Sequence, residues 1–396
     1  MSFRAYPLAW AQNLALRTTA GRWQRRGVLT PSQLAAIEAA YPVGYYRPES
    51  IWLWMLLFVG TYLAAVSAGG TVLFFVLATL HLELPDSVHA LLAGLVCVAL
   101  LEALVRQHRH YYSGVDNALL YGALGAWQLC WVFWADALAG HQDSQTHTWL
   151  LLAPSLLAQL VALGRYADPV VAATAFGTAL ALLAGSALAT TPGRQLLPFV
   201  GMLAAGGMLL ALRSVPRRAD FFYYRVAYLT LRALGLAVLY LAGNYLVVRE
   251  GNAALLGHGG SSAQIPFALV FWILTFALPL LYLVLALRRH DRLLLWLGLL
   301  ALAFSIYTFR TYHAVLPPAV AAMLAGALLT ALALGLLRYL RHSRHGLTAE
   351  ADNEVRSPVN LENFITLETA HATGPPAPGF EFGGGSSGGG GAEGQF

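Results

Sequence analysis

The chain has 396 residues, of which 58% are hydrophobic and 11% are charged, and its formal net charge is +5 at pH 7. A soluble domain carries about 25% charged residues, so this composition excludes an ordinary soluble domain and predicts a membrane protein. Every cationic side chain is an arginine, and the arginines cluster in short segments between apolar runs. That distribution is typical of a multi-span membrane protein and argues against a nucleic-acid partner.

Residues 1–50 precede the apolar part of the chain and predict a short hairpin of two amphipathic helices. In the stretch GRWQRRGVLTPSQLAAIEAAYP, Gly27 is a natural C-terminal stop for the first helix. Thr30 is then a natural N-cap for the second helix, with Pro31 at the first helical position and Gln33 completing a capping box. We expect this hairpin to lie on the cytoplasmic side of a membrane, with its arginines against anionic lipid headgroups.

The stretch RRGVLTPSQLAAI follows a basic helix and precedes many apolar segments. In this pattern it resembles a family of bacterial multipass membrane proteins that is catalogued as a domain of unknown function. The shared features are a hydrophobic pair after glycine, then threonine or serine, then glutamine and isoleucine in a short helix. The resemblance implies residence in the bacterial cytoplasmic (inner) membrane. It brings no established activity and therefore no catalytic residue.

Residues 51–340 predict an all-α fold, a polytopic transmembrane helix bundle of about ten spans, with nine to eleven as the range. A span needs about 20 predominantly apolar residues. The ten candidate spans are 51–80, 88–105, 117–139, 148–163, 169–189, 195–212, 226–248, 265–287, 293–309 and 316–337. The first is long enough to tilt or to kink at Gly69 and Gly70, and the fourth and ninth are short.

The distribution of arginines between the loops predicts the orientation of the bundle. Arginines occupy the N-terminal segment and every second loop after it, whereas the alternate loops hold only Arg194, Arg249 and Arg310. Loops rich in positive charge remain in the cytoplasm. With ten spans all the arginine-rich segments lie on one side, so we expect both termini to be cytoplasmic.

Residues 341–396 follow the last predicted span and change from acidic to proline- and glycine-rich. Such a segment cannot bury enough apolar area to offset the entropy of the chain, so we predict a disordered C-terminal tail. The hairpin and this tail are the two places where we expect a protein partner to bind, and the lipid bilayer is the other partner. The sequence does not indicate an oligomeric state.

Two loops on the predicted outer face are rich in histidine and carboxylate side chains. Imidazoles together with carboxylates are competent ligands for zinc-class metals. The spacing matches no established site, so the leading expectation is a pair of ordinary polar loops without a cofactor. A divalent metal at the outer face is the alternative, and its candidate ligands are His81, Glu83, His89, His141, Asp143 and His147.

Glu102 lies inside the second predicted span and Arg232 lies inside the seventh. A charge at the bilayer centre costs about 2.5–3.5 kcal/mol, so each needs a partner, water or a route to the surface. Both lie near the cytoplasmic ends of their spans, at depths that long side chains can bridge. We therefore predict an ion pair between Arg232 and Glu102. Asp116 and Asp220 are the fallback partners, and the alternative is that Arg232 extends alone to the headgroups.

Motifs of soluble enzymes do not occur in the apolar part of the chain. The sequence has no GxxxxGK, HExxH or CxxC, and the pattern GxSxG occurs only within the glycine-rich tail, where it does not indicate a nucleophile elbow. The leading expectation is therefore a non-catalytic membrane scaffold or regulatory partner, and enzyme activity is the less favoured outcome. The first alternative is a transporter of a small solute, for which Pro198 and Pro279 are candidate helix breaks. The second is a membrane-embedded enzyme that uses the outer-face metal site. Polar residues clustered around one cavity would favour transport.

Overall fold

The protein is described here by a computed structural model that covers residues 3–48, 50–69, 84–108, 110–139, 144–255 and 264–313, with residue 79 and scattered positions from 317 to 338. The described part forms helices and holds no strand, only an isolated bridge between Tyr46 and His110. The predicted all-α class is confirmed. The predicted disordered tail, 341–396, lies outside the described residues.

Twelve α-helices follow one another in the described residues. They are α1 Leu8–Arg25, α2 Pro31–Ala40, α3 Ile51–Ala64, α4 Asp86–Ala103, α5 Val115–Ala139, α6 Ser144–Tyr166, α7 Pro169–Leu188, α8 Thr191–Ala211, α9 Phe221–Gly243, α10 Tyr245–Leu255, α11 Ala268–Arg289 and α12 Arg292–Tyr312. Short π-helical segments continue α3 and α4, and a 3-10 helix, Leu212–Arg217, continues α8.

The N-terminal hairpin consists of α1 and α2, which pack against each other. The Gln33 backbone N–H donates to the Thr30 hydroxyl, and the Thr30 backbone N–H donates to Gln33 Oε1. These reciprocal bonds are the predicted capping box. Gly27 follows α1 with a φ of +72°, a conformation that glycine adopts without steric cost. The sequence therefore predicted both helices and the turn between them.

Successive helices from α4 to α9 pack side by side, and so do α11 and α12. The short connections between them make each such pair antiparallel. Helix α9 is the most widely connected element, because it packs against α1, α7, α8, α10, α11 and α12. Through its contact with α9, the N-terminal hairpin therefore packs on the most widely connected helix of the bundle.

Eight of the described helices are long and apolar enough to cross a membrane, namely α4 to α9, α11 and α12. The two spans predicted to be short are of full length, with 23 residues in α6 and 21 in α12. The first and tenth predicted spans include residues outside the described ranges. The count of ten spans therefore stays a prediction.

The seventh predicted span, 226–248, is not one helix. Helix α9 ends at Gly243, Asn244 has an extended backbone with φ −83° and ψ 127°, and α10 begins at Tyr245. The two predicted proline breaks are wrong, because Pro198 and Pro279 lie inside the continuous helices α8 and α11. Packing helices can satisfy the backbone groups that a proline frees, whereas asparagine is a strong N-cap that starts a new helix.

The segment before α1 belongs to the core of the bundle. Tyr6 is buried, and its ring centroid lies 4.5 Å from that of Tyr111, just before α5. The same core includes Leu101 of α4, Val171 of α7 and Tyr223 of α9. We call the end of the bundle that holds this core the hairpin side and the opposite end the far side.

Candidate functional site

The predicted ion pair between Arg232 and Glu102 does not form. The Arg232 guanidinium instead donates to Asp291, the residue before α12. Helix α9 packs against α11 and α12, so the connection between those two helices lies within reach of Arg232. The prediction was wrong because it compared the depths of two charges without knowing which helices are neighbours.

Glu102 pairs with Arg165 at the hairpin side, where α4 and α6 end. Arg165 Nε lies 2.6 Å from Glu102 Oε1, and Arg165 Nη2 lies 2.5 Å from Oε2. The Tyr166 hydroxyl donates to Oε1, and Arg106 approaches Oε2 at 3.4 Å. Bidentate arginine–carboxylate pairs are among the strongest hydrogen-bonded contacts in proteins. This pair therefore joins the ends of two spans.

Residues 3–6 cross the hairpin side and hydrogen-bond to three separate parts of the bundle, the first two of which are the end of α6 and the segment before α5. The Ala5 backbone N–H donates to the Arg165 carbonyl at 3.0 Å, and Arg165 Nη1 donates to the Phe3 carbonyl at 2.7 Å. The Tyr6 hydroxyl donates to the His110 carbonyl at 2.6 Å. Arg165 thus holds Glu102 and the N-terminal segment at the same time.

Asp220, just before α9, forms an ion pair with Arg4 of the N-terminal segment. Arg4 Nη2 lies 2.6 Å from Asp220 Oδ2, and Arg218 Nε lies 3.0 Å from Asp220 Oδ1. The Arg218 hydrogen bond lowers the pKa of the Asp220 carboxyl below its usual value, against the effect of burial and with the help of Arg4. Asp220 is therefore a partner of Arg4 and Arg218, and it is not the predicted fallback partner of Arg232.

Asp168 and Asn117 are bonded to each other inside the hairpin side. Asp168 caps α7, because its Oδ1 accepts from the backbone N–H groups of Val170 and Val171. Asn117 Nδ2 donates to Asp168 Oδ2 at 2.9 Å, and the Tyr121 hydroxyl also donates to the carboxylate. Burial raises the pKa of Asp168 above its usual value.

The Asp116 carboxylate accepts hydrogen bonds from residues close to it in the chain. Its Oδ1 accepts from the backbone N–H and the hydroxyl of Ser113, and its Oδ2 accepts from the Tyr112 N–H. Asp116 is thus not the other fallback partner of Arg232 either. A cavity of about 10 Å³ lies among Asp116, Asn117, Asp168 and the surrounding tyrosine and leucine side chains.

The break between α9 and α10 has a polar cluster of its own, which we call the helix-break cluster: Tyr240, Asn244, Thr275, Ser305 and Thr308. Asn244 has no exposed surface. Its Oδ1 accepts from the backbone N–H groups of Leu246 and Val247, which start α10. Its Nδ2 donates to the hydroxyls of Tyr240 and Thr308 at 3.0 and 3.1 Å. One side chain thus caps α10 and links α9 to α12.

Thr275 and Ser305 complete the helix-break cluster. Thr275 Oγ1 accepts from the Tyr245 N–H at 2.9 Å and donates to the Phe271 carbonyl at 2.7 Å. Ser305 Oγ donates to the Thr275 carbonyl and contacts the Tyr240 hydroxyl at 2.8 Å. These residues satisfy one another, so the cluster functions first as a connection between α9, α11 and α12.

A cavity with a volume of about 660 Å³ lies on the far side beside α10. Its wall is mostly apolar and is formed by α7, α8, α9, α10, the segment 264–266 and α11. Its polar side chains include Arg194, Gln195, Asn252 and Gln264. A second cavity of about 430 Å³ lies between α4, α5 and α6 and is lined almost wholly by apolar residues.

The candidate metal ligands are only partly within the described residues. His81, Glu83, His141 and Asp143 lie outside them. Of the two that are described, His89 contacts the Pro85 carbonyl through Nδ1, and His147 Nε2 lies 2.8 Å from Asp136 Oδ1. The described ranges contain no group of three His, Cys, Asp or Glu side chains placed to hold a metal ion. The outer-face metal site stays a prediction.

Comparisons with known families, with curated proteins and with solved structures found no match. The resemblance to the family of unknown function therefore stays a prediction. The fold and the eight long apolar helices define the class of the chain, which is a multi-pass α-helical membrane protein.

Sequence reasoning missed several of the residues that the structure brings together. Asp168, Asp220 and Asp291 each directly precede a helix, and an acidic residue in that position is a recognisable capping signal. Asn244 follows Gly243, and Gly–Asn inside an apolar run is a signal for a break. Nothing in the sequence shows that Arg165 is the partner of Glu102, because that contact depends on the packing of α4 and α6.

Proposed function

We propose that this protein is a non-catalytic scaffold or regulatory partner in the bacterial cytoplasmic membrane. In this proposal both termini are cytoplasmic, and the hairpin side of the bundle faces the cytoplasm. The arginine-rich connections support this orientation, because Arg165, Arg217 and Arg289 all lie at the ends of helices on the hairpin side.

The observation that carries the proposal is the attachment of the N-terminal segment to the bundle. Arg4, Ala5 and Tyr6 make hydrogen bonds to the start of α9, the end of α6 and the segment before α5. A hairpin on a flexible tether would need no such contacts. A fixed hairpin presents one surface in one orientation, which is what a partner-binding element requires, because less ordering entropy is lost on binding.

The surface that the hairpin presents contains large apolar side chains beside arginines. Val28 is 67% exposed, Trp23 is 48% exposed and Tyr41 is 45% exposed, while Arg25 and Arg26 are exposed next to them. Interfaces are enriched in aromatic residues and arginine. The hairpin therefore has the composition of a contact surface for a protein or for lipid headgroups.

A photo-crosslinking amino acid at position 28 tests this function in living cells. The proposal predicts a discrete protein adduct at this position. It also predicts that the adduct is lost in an Arg4→Ala, Tyr6→Phe background in which the protein still accumulates in the membrane. Position 203 on α8 is the matched control, because Leu203 is 75% exposed on a span. Lipid adducts alone at position 28 would contradict the proposal.

Transport of a small solute is the second candidate function, and the break at Asn244 favours it. Discontinuous helices with exposed backbone groups often form the binding sites of transporters. The cavity of about 660 Å³ lies next to this break, with Val247, Val248 and Phe271 in its wall. Helix α9 has 23 residues, which makes it roughly 34 Å long, so the break lies near the far end and not at the midplane.

Accessibility of single cysteines separates the two functions. In a variant without Cys97 and Cys130, which are free thiols, Asn252→Cys reports on the cavity and Thr308→Cys reports on the helix-break cluster. Transport through this region requires that a membrane-impermeant thiol reagent reach position 308 in some conditions. The contrary result is that the reagent labels position 252 but never labels position 308, in membranes and with each solute tested. That result would count against transport.

A further inference from the structure

The small cavity on the hairpin side has room for one small occupant. Its volume of about 10 Å³ corresponds to a single water-sized sphere. Asp116, Asn117 and Asp168 contribute polar side chains to its lining, and these residues are 7%, 4% and 2% exposed. The polar side chains at this cavity are therefore themselves buried.

Asn117 has an unused acceptor at this cavity. Its Oδ1 is buried and has no hydrogen-bond partner among the described residues. The orientation of the amide is fixed, because Nδ2 donates to Asp168 Oδ2 and the reversed amide would place two oxygens against each other. A buried polar atom without a partner is costly, so this oxygen indicates a bound group that supplies a hydrogen or a positive charge.

Three of the four tyrosines around the cavity use their hydroxyl hydrogens elsewhere. Tyr6 donates to the His110 carbonyl, Tyr112 to the Ala167 carbonyl and Tyr166 to Glu102. The lining therefore offers oxygen lone pairs to the occupant. Oxygen atoms without competing hydrogens are the ligands that hard cations prefer.

The charge of the lining favours a cation over a water molecule. No ion pair in the described part of the chain includes Asp116 or Asp168. Two buried carboxylates without a cationic partner are unfavourable unless another charge compensates them. Water would satisfy the Asn117 oxygen, but it would bring no positive charge to the two carboxylates.

The size and the remaining charge indicate a monovalent ion. Backbone N–H groups at the starts of α5 and α7 already donate to the two carboxylates and neutralise part of their charge. Ca²⁺ requires six to eight oxygen ligands, and Mg²⁺ retains several waters, so neither fits a space for one small occupant. We propose that Asp116, Asn117 and Asp168 form a binding site for one Na⁺ ion. The ion connects the start of α5 to the start of α7.

Thermal unfolding of the full-length protein in detergent micelles tests the site. NaCl is compared with N-methylglucamine chloride at equal ionic strength, and unfolding is followed by tryptophan fluorescence. The expected result is a saturable rise of the unfolding midpoint by a few degrees in Na⁺, because an ion that binds only the folded state stabilises it. Equal midpoints in the two salts would mean that the cavity holds only water, and the proposal would be overturned.

Asn117→Leu is the variant that removes the free oxygen, and Gln159→Leu is its matched control. Gln159 on α6 also has a buried amide oxygen without a partner, but it does not line this cavity. The Na⁺-dependent rise is expected to persist in Gln159→Leu and to disappear in Asn117→Leu. A rise of the same size in both variants would overturn the assignment.

A measurement on the unmodified protein covers the case in which Asn117→Leu does not fold. Hydrogen exchange in Na⁺ is compared with exchange in N-methylglucamine. The proposal predicts slower exchange confined to the segments around 112–121 and 167–172, which hold the three ligands. Unchanged exchange there, or an equal slowing throughout the bundle, would contradict a local site.

Discussion

The hairpin side and the far side of this bundle stabilise polar groups in opposite ways. On the hairpin side, carboxylates such as Glu102 and Asp220 pair with arginines at the ends of helices, where long side chains can reach the membrane surface. On the far side, the helix-break cluster consists of neutral side chains with no exposed surface at Asn244, Thr275 or Ser305. The arginine-paired carboxylates thus lie at the ends of helices, and the neutral hydrogen bonds of the helix-break cluster lie within the bundle.

This contrast has a consequence for the function of each side. Ion pairs at helix ends connect separate parts of the chain, and Arg165 holds both Glu102 and the carbonyl of Phe3. The helix-break cluster connects only helices of the second half of the bundle. The hairpin side therefore fixes an external element, whereas the far side fixes the internal packing of spans.

The largest expected effect is at Asn244. Asn244→Leu removes the cap of α10 and leaves the hydroxyls of Tyr240 and Thr308 without the amide. We expect a loss of about 3–4 kcal/mol in the free energy of unfolding, which combines a lost cap with buried unsatisfied groups. Unfolding in mixed micelles measures it. Asn252→Leu, in the wall of the far-side cavity, is the control, with a change within about 0.5 kcal/mol.

A smaller effect is expected for the pair of Glu102 and Arg165. Their side chains are 19% and 23% exposed, so removing one partner with Arg165→Leu should cost about 2–3 kcal/mol, less than for a fully buried pair. The Arg165→Leu, Glu102→Leu double variant should lose less than the sum of the two single losses. Arg106→Ala is the control at about 0–1 kcal/mol, because Arg106 is 64% exposed. Additive losses would show that the two side chains are not coupled.

The smallest effect is a dependence on acid pH that comes from Asp220. Its pKa in the folded protein is lowered, chiefly by Arg218, so its contribution to stability is complete above the pKa of the unfolded chain, about 3.9. That contribution is lost as the pH falls below about 4 toward the lowered value. Asp220→Asn should therefore lower stability at pH 7 and flatten the loss of stability below pH 4. Parallel acid-unfolding curves for the two proteins would contradict this role.

The sequence predicted the parts of the fold that depend on local patterns. The capping box at Thr30 and the turn at Gly27 depend on residues that are close in the chain, and both are present. Apolar run length also predicted the eight helices that are long and apolar enough to cross a membrane. The break at Asn244 was not predicted, because a single polar residue hardly changes the mean hydropathy of a long apolar run. Its hydrogen-bond partner Thr308 lies on another helix, which the sequence does not show.

The candidate sites were predicted less well, because they depend on which helices are neighbours. Arg232 and Glu102 each have an ion-pair partner, but the partners are Asp291 and Arg165. Depth is a property of one helix, whereas pairing is a property of two. Asp168 and Asn117 are 51 residues apart in the chain, and only the packing of α5 beside the start of α7 brings them together.

The central claim of this account is that residues 3–6 fix the hairpin on the bundle. The most direct measurement is the distance distribution between spin labels at positions 28 and 214, obtained by pulsed electron paramagnetic resonance in lipid nanodiscs. Both positions are exposed, one in the hairpin turn and one in the 3-10 helix after α8. The account predicts a single narrow distribution that broadens in the Arg4→Ala, Tyr6→Phe variant. A broad distribution in the otherwise unmodified protein, unchanged by these two substitutions, would contradict it.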